Sequence, residues 1–274
     1  MSVEDAPPEP TVVVEEVAPA VSVVWLNRPD QLNALSSTSM AELGDALRTV
    51  GRHSRAVVLT GRGRGFCAGG DLKELYPLLS EADVDARRRQ MRAFQEVVTA
   101  IRSIPCPVVA AVNGVCAGAG ISLALASDVV LAGADVQFHP TFTRAGLIPD
   151  LGSLHLWTQA VGPRRAKEMA FLPEPIGAED ARAAGMVNRV VVAGQALEVA
   201  LELADQLAAG PSAALQMIKD IINREDQAGL DASMVLESYA QAAAFSTGEV
   251  DEGVAAFLDG RAPRFGTTET EGTP

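Results

Sequence analysis

Residues 103–127 contain no charged side chain. A run of that length is long enough to cross a bilayer, which takes about 20 apolar residues. Its contents argue against one continuous helix. Pro105 and Pro107 open it, Asn113-Gly114 interrupts it, and Gly118 and Gly120 follow. Its two halves also differ in kind. PVVAAV (107–112) is β-type and apolar throughout, whereas ISLALA (121–126) is made of helix formers. The stretch therefore reads as a buried strand, a glycine turn and a short buried helix. A strand with no polar side must lie in a sheet covered on both faces, the usual situation of a parallel sheet.

The rest of the first half fits that frame. VSVVWLN (21–27), AVVLT (56–60) and DVVLAGA (128–134) are strand candidates. Residues 36–50 place Met40, Leu43, Ala46, Leu47 and Val50 on one helical face. KELYPLLS (73–80) reads as a helix, and residues 83–104 carry an apolar stripe of Met91, Phe94, Val97, Val98 and Ile101. Strands alternating with helices predict an α/β fold with a mainly parallel sheet. From residue 153 onward the pattern is mostly helical. The expected organisation is a disordered tail (1–10), an α/β core (11–205), a C-terminal helical region (206–265) and a second tail (266–274).

With 274 residues, 48% hydrophobic and only 4% aromatic, the chain can bury a large core of Ala, Val, Leu and Ile. A net charge of −13 argues against nucleic acid and anionic membranes as partners. Cys67, Cys106 and Cys116 are odd in number and lack metal-ligand spacing, which reads as reduced thiols. The acidic, proline-rich start MSVEDAPPEP is unlike a secretory leader. The expected location is cytoplasmic, with no metal and no separate cofactor.

Two strand–glycine–helix turns stand out: TGRGRGFCAGGDL and AVNGVCAGAGISLALA. Each presents unpaired N–H groups at a helix start, where the helix dipole also favours negative charge. Two such turns on adjacent parallel strands can aim N–H groups at one oxygen, forming an oxyanion hole. The dinucleotide pattern is met only loosely, by Gly63, Gly65 and Ala68. The acidic residue it needs about 20 positions on could only be Asp83 or Asp85, at a polar helix start. No Gly-Lys-Ser/Thr follows either turn, which excludes a P-loop. His53 and His155 read as solvated and structural, and His139 as a candidate pocket residue.

The ordered series LNRPDQLNAL, AVVLTGRGRGFCAGGDLKEL, IPCPVVAAVNGVCAGAG, ALASDVVLAG, AGLIPDLGS, VGPRRAKEM, ARAAGMVNRV and EVDEGVAAFLDGRAPRF resembles the enoyl-CoA hydratase/isomerase (crotonase) superfamily over about residues 10–266. The resemblance implies a crotonase-like spiral of ββα units and a homotrimer or dimer of trimers built through the C-terminal helices. It also implies an acyl-CoA substrate, so that coenzyme A enters as part of the substrate. The matched oxyanion donors are Ala68 and Ala119. The coenzyme A contacts would be Asp30, Leu32 and Ala34, the stretch Phe66, Ala68, Gly69, Asp71 and Leu72, and Phe257 with Arg261.

Hydratases of the family use two glutamates, and the matched positions hold Ser122 and Phe142. Neither side chain is a carboxylate base. The remaining carboxylate is Asp150, where isomerase- and dehalogenase-like branches carry a catalytic aspartate. It reads equally as a helix N-cap, and Asp71 reads as a cap for the helix that follows it. Ser122, His139 and Phe142 are pocket candidates. The leading expectation is double-bond isomerisation of an enoyl-CoA with Asp150 as base. The alternatives are an enoyl-CoA hydratase or related lyase, and a non-catalytic acyl-CoA binding protein.

Overall fold

The central strands are buried on both faces, as their unbroken apolar sequences require. In the computed structural model, which describes residues 9–265, β1 (Val12–Ala18) and β2 (Val21–Leu26) form a hairpin, followed by α1 (Ser37–Val50). Next come β3 (Ala56–Gly61), β4 (Gly65–Cys67), α2 (Leu72–Ser80) and α3 (Val84–Ser103). The pattern repeats as β5 (Val108–Val112), β6 (Val115–Ala117) and α4 (Ala119–Ala126), then β7 (Val129–Gly133) and β8 (Gln137–His139). The remaining elements are α5 (Ser153–Phe171), β9 (Ile176–Gly177), α6 (Ala178–Ala183), β10 (Arg189–Val191), α7 (Ala196–Ala209), α8 (Ser212–Ala244) and α9 (Glu249–Leu258). The expected tails, 1–10 and 266–274, lie outside the described residues apart from Glu9 and Pro10.

Six strands form one sheet in the order β1-β2-β3-β5-β7-β10, parallel except for the β1–β2 pair. Alternate residues of each strand serve two cores. Val57 and Leu59 pack with α1 and α3, whereas Val58, Val109 and Leu131 pack under Ala200 and Leu203 of α7. A second sheet, β4-β6-β8-β9, takes the strand that follows β3, β5 and β7 in turn. Each unit thus sends its first strand to one sheet and its second to the other, and the glycine turns leave from the second.

The sequence reading placed β2, β3, β5, β7 and the main helices. It did not place β1, whose paired glutamates mask its alternation at a sheet edge, nor the three-residue strands of the second sheet. Those are too short to show a period. Helix ends follow their caps: Ser36 and Ser39 form a capping box on α1, and the Asp83 carboxylate accepts from Ala86 N at 2.7 Å on α3. Among the described residues no helix is long and apolar enough to cross a membrane.

Candidate active site

The first glycine turn is stitched to the loop before α1. The backbone carbonyl of Gly69 accepts from Leu35 N at 2.7 Å, and Leu35 O accepts from Asp71 N at 2.9 Å. This one-residue parallel bridge between Leu35 and Gly70 uses the groups flanking Gly70 and leaves its own N–H facing the other way. Ala68 N donates to Leu32 O at 3.0 Å. The expected donor is therefore corrected: the Ala68 N–H is consumed within the fold, and the free N–H of this turn belongs to Gly70.

The second turn ends at Gly118, whose N–H donates to His139 O at 2.9 Å, and α4 then begins at Ala119. Ala119 is the first residue of its helix, so its N–H has no intrahelical acceptor. Gly70 N and Ala119 N have no hydrogen-bond partner among the described residues, and both residues line one cavity of about 210 Å³. Two glycines bring the turns together. Gly69 has φ 90°, and a Cβ there would lie 3.0 Å from Ala117 O. A Cβ on Gly120 would lie 2.5 Å from the Cys67 carbonyl oxygen.

The cavity is walled by apolar side chains, among them Leu75, Met91, Phe94, Phe142 and Phe245, and Asp150 is part of its lining. Asp150 is 9% exposed, and its buried Oδ1 has no hydrogen-bond partner among the described residues. Burial pushes its pKa up to about 8, and the nearby Glu237 carboxylate adds to the rise. The helix-cap reading of Asp150 does not hold. Two N–H groups at the start of α5 go to Glu237 of α8 instead, with Gly152 N donating to Oε2 at 2.8 Å and Leu154 N to Oε1 at 3.2 Å.

Several expected site residues are placed elsewhere. Ser122 is fully buried and bonded to Ser153 Oγ at 2.5 Å and Asp150 O at 3.4 Å, so it supports the Asp150 loop from behind and does not line the cavity. The His139 side chain does not line it either, although its carbonyl anchors the second turn. Phe142 does, with its ring tilted against Trp157 at 6.2 Å between centroids. Asp71 caps nothing through its side chain; it pairs with Arg28 at 2.7 Å. His53 is exposed, in line with its reading as a solvated residue, and His155 pairs with Asp226 at 2.5 Å, in line with a structural one.

Along the candidate coenzyme A track, Asp30 is exposed, Ala34 O accepts from Arg28, and Phe66 is fully buried, leaving only backbone there for a ligand. Leu72 and the largely exposed Phe257 line the cavity. Arg261 is ion-paired with Glu252 at 2.7 Å. Cys67 and Cys116 face each other across β4 and β6, and burial pushes the Cys67 thiol up to about 12, which makes it a packing group.

Paired strands that alternate between two sheets, with two glycine turns converging on one apolar cavity, define the crotonase fold. A crystal structure of an enoyl-CoA hydratase from Mycobacterium avium subsp. paratuberculosis superposes with a TM-score of 0.83 at 33% identity, covering 93% of this chain and 98% of that one. The profile of the enoyl-CoA hydratase/isomerase family matches residues 16–268, and the chain belongs to that family. It is 37% identical over 255 residues to the 1,2-epoxyphenylacetyl-CoA isomerase of Escherichia coli, covering 92% of this chain and 97% of the relative. It is 31% identical over 252 residues to the short-chain-enoyl-CoA hydratase of Clostridium acetobutylicum, covering 91% and 95%.

Sequence reasoning missed Gly70, Arg28 and Glu237. The signal for Glu237 was available: it is the one charged residue between positions 232 and 248. A lone acid in an apolar helical run needs a buried partner, but the sequence does not say which.

Proposed function

We propose that this chain is an acyl-CoA isomerase in which Asp150 moves a proton along the acyl group while Gly70 N–H and Ala119 N–H hold the thioester oxygen. The observation that carries this reading is the place of Asp150, a buried acid whose Oδ1 has no hydrogen-bond partner among the described residues, in the wall of the cavity that Gly70 and Ala119 also line. In a 3-enoyl thioester, the ionised carboxylate would take a proton from C2. The electrons pass to the carbonyl oxygen as a dienolate, and two N–H donors stabilise that charge. The same proton returned at C4 leaves the 2-enoyl thioester. Nothing is consumed, so one carboxylate suffices.

The hydratase alternative has less support. The positions matched to its two glutamates hold a serine bonded to another serine and a phenylalanine packed against a tryptophan. Coenzyme A would run past the 30–35 loop toward Phe257. A homotrimer or dimer of trimers fits the apolar side chains exposed on α8, where Met217, Ile218, Ile221 and Ile222 are 54–62% accessible.

The test compares turnover of a 3-enoyl-CoA and of crotonyl-CoA by wild type and Asp150→Asn, beside an acyl-CoA binding titration. The expected result is isomerisation by wild type, lost in the variant with affinity retained. Hydration of crotonyl-CoA undiminished in the variant would replace this reading with the hydratase one. Binding with no turnover of any acyl-CoA would point to a non-catalytic binder.

A further inference from the structure

Glu237 is 1% exposed, and its carboxylate is engaged by groups around the start of α5. It accepts from Gly152 N at 2.8 Å, Leu154 N at 3.2 Å and the Ser233 hydroxyl at 3.0 Å. The N–H groups are those of a helix start, which attracts an anion. Asp150 lies beside that helix start and receives none of them. Its Oδ1 has no partner, and its backbone carbonyl is taken by Ser153 N and Ser122 Oγ.

The backbone between the two acids is constrained. Leu151 has φ 55° and Gly152 φ 73°, two consecutive left-handed residues, the first of them with a buried side chain. Glu237 holds the second by its N–H. Without that acceptor, Asp150 could take the helix N–H groups itself as an ordinary cap.

We infer, on the reading of Asp150 as the base, that Glu237 is a positioning residue of this site: it occupies the α5 helix end, pins the Leu151–Gly152 turn, and so keeps those N–H groups from pairing with the Asp150 carboxyl at the cavity wall. Its negative charge also opposes ionisation of Asp150, second to burial itself. The other charged groups around the loop are engaged elsewhere. Arg144, from the 3-10 turn Phe142–Ala145, donates to Pro173 O, and Arg87 of α3 donates to Leu79 O and Ser80 O. His155 of α5 pairs with Asp226. In α9, Asp251 accepts from Tyr76, Glu252 pairs with Arg261, and Glu249 is exposed. From α4, the neutral Ser122 hydroxyl donates to the Asp150 carbonyl.

The experiment is a pair of titrations on the full chain with Glu237→Gln. The first follows the Asp150 carboxyl by ¹³C NMR in the unliganded protein, its signal assigned by loss in Asp150→Asn. The second is the pH profile of kcat/KM on a 3-enoyl-CoA. Removing the like charge should move the Asp150 titration and the rising limb of the profile to lower pH by about half to one unit. An Asp150 titration unmoved in a folded Glu237→Gln variant would overturn the inference. If Gln at 237 prevents folding, Glu237→Asp carries the test, since it keeps the charge and withdraws it from Gly152 and Leu154. A folded Glu237→Asp variant with kcat lowered at least about tenfold and KM little changed supports positioning, and unchanged kcat overturns it. The NMR titration needs no turnover. If Asp150→Asn retains full isomerase activity, the base assignment fails separately, whatever Glu237 does to the titration.

Discussion

Arg28 donates to Asp71 at 2.7 Å and to Ala34 O at 2.6 Å, so one guanidinium ties the loop before α1 to the first glycine turn. Both partners are mostly buried, with side chains 19% and 14% exposed. Removing the cation leaves a carboxylate and a carbonyl short of donors in a poorly solvated place, which costs about 2–4 kcal/mol. Arg28→Met is expected to lower the unfolding free energy by that much and to weaken acyl-CoA binding, because the Leu32–Ala68 and Leu35–Gly69 hydrogen bonds share the loop. Equilibrium unfolding beside a binding titration checks it, and wild-type values in both would contradict it.

The reassignment of the free N–H from Ala68 to Gly70 separates two neighbouring substitutions. Gly70→Ala keeps the N–H, and its new Cβ meets only the tip of Leu75 at 3.2 Å, a side chain able to shift. It should fold and turn over substrate within a few-fold of wild type. Gly69→Ala forces a side chain onto a residue at φ 90° and presses it against Ala117 O of the second turn. A loss of about 1–3 kcal/mol in stability is expected, and a larger loss of turnover as the two donors are pushed apart. Melting temperatures and single-substrate kinetics on the two variants decide whether they differ as stated.

How far the sequence carried this reading follows from what each feature depends on. Continuous apolar runs announced β3, β5 and β7, because burial on both faces leaves its mark on every residue. The glycine turns were legible because glycine is needed where two backbones approach. Which N–H stayed free was not legible. That depends on Leu32 and Leu35, more than 30 positions upstream, and on a bridge of a single residue pair. The roles of Asp150 and Asp71 were split between cap and chemistry for the same reason. The groups that decide against capping, Glu237 and Arg28, are distant in sequence and carry no local motif. Ser122 was weighed as a pocket group because its partner, Ser153, could not be seen.

One lysine of helix α8 reaches into the core. Lys219 Nζ donates to Ile101 O and Cys106 O at 3.0 Å each and to Asp128 Oδ2 at 2.7 Å, while Asp128 also accepts from Val108 N at 2.7 Å. Burial raises the Asp128 carboxyl, and Lys219 counteracts the rise. Lys219→Met would leave that acid buried without its cation and two carbonyls without a donor. A destabilisation of about 3–5 kcal/mol is expected. It should be smaller at acid pH, because burial favours the neutral form of Asp128 once its cation is gone. Urea unfolding of the variant at pH 5 and pH 8 checks both the size and the direction.

Asp150 makes the stability of the whole fold depend on pH in a particular direction. Its native pKa is about 8, well above the value near 4 of an unfolded aspartate. Between those values the native state holds a proton that the unfolded chain has released, so the native state binds more protons. By linkage, unfolding free energy then falls as pH rises, by up to about 1.4 kcal/mol per unit, and levels off above the native pKa. Asp150→Asn keeps the shape and removes the titration. The variant should match wild type near pH 4 and become progressively more stable than it up to about pH 8, by an amount on the order of a few kcal/mol. Activity should run the other way. On the proposal that Asp150 is the base, most wild-type molecules hold it protonated at pH 7, so kcat/KM should climb toward pH 8 while the fold weakens. Denaturant titrations of both proteins from pH 4 to 9, beside the wild-type rate profile, test the two trends together. A stability difference independent of pH would mean that Asp150 titrates normally in the folded chain.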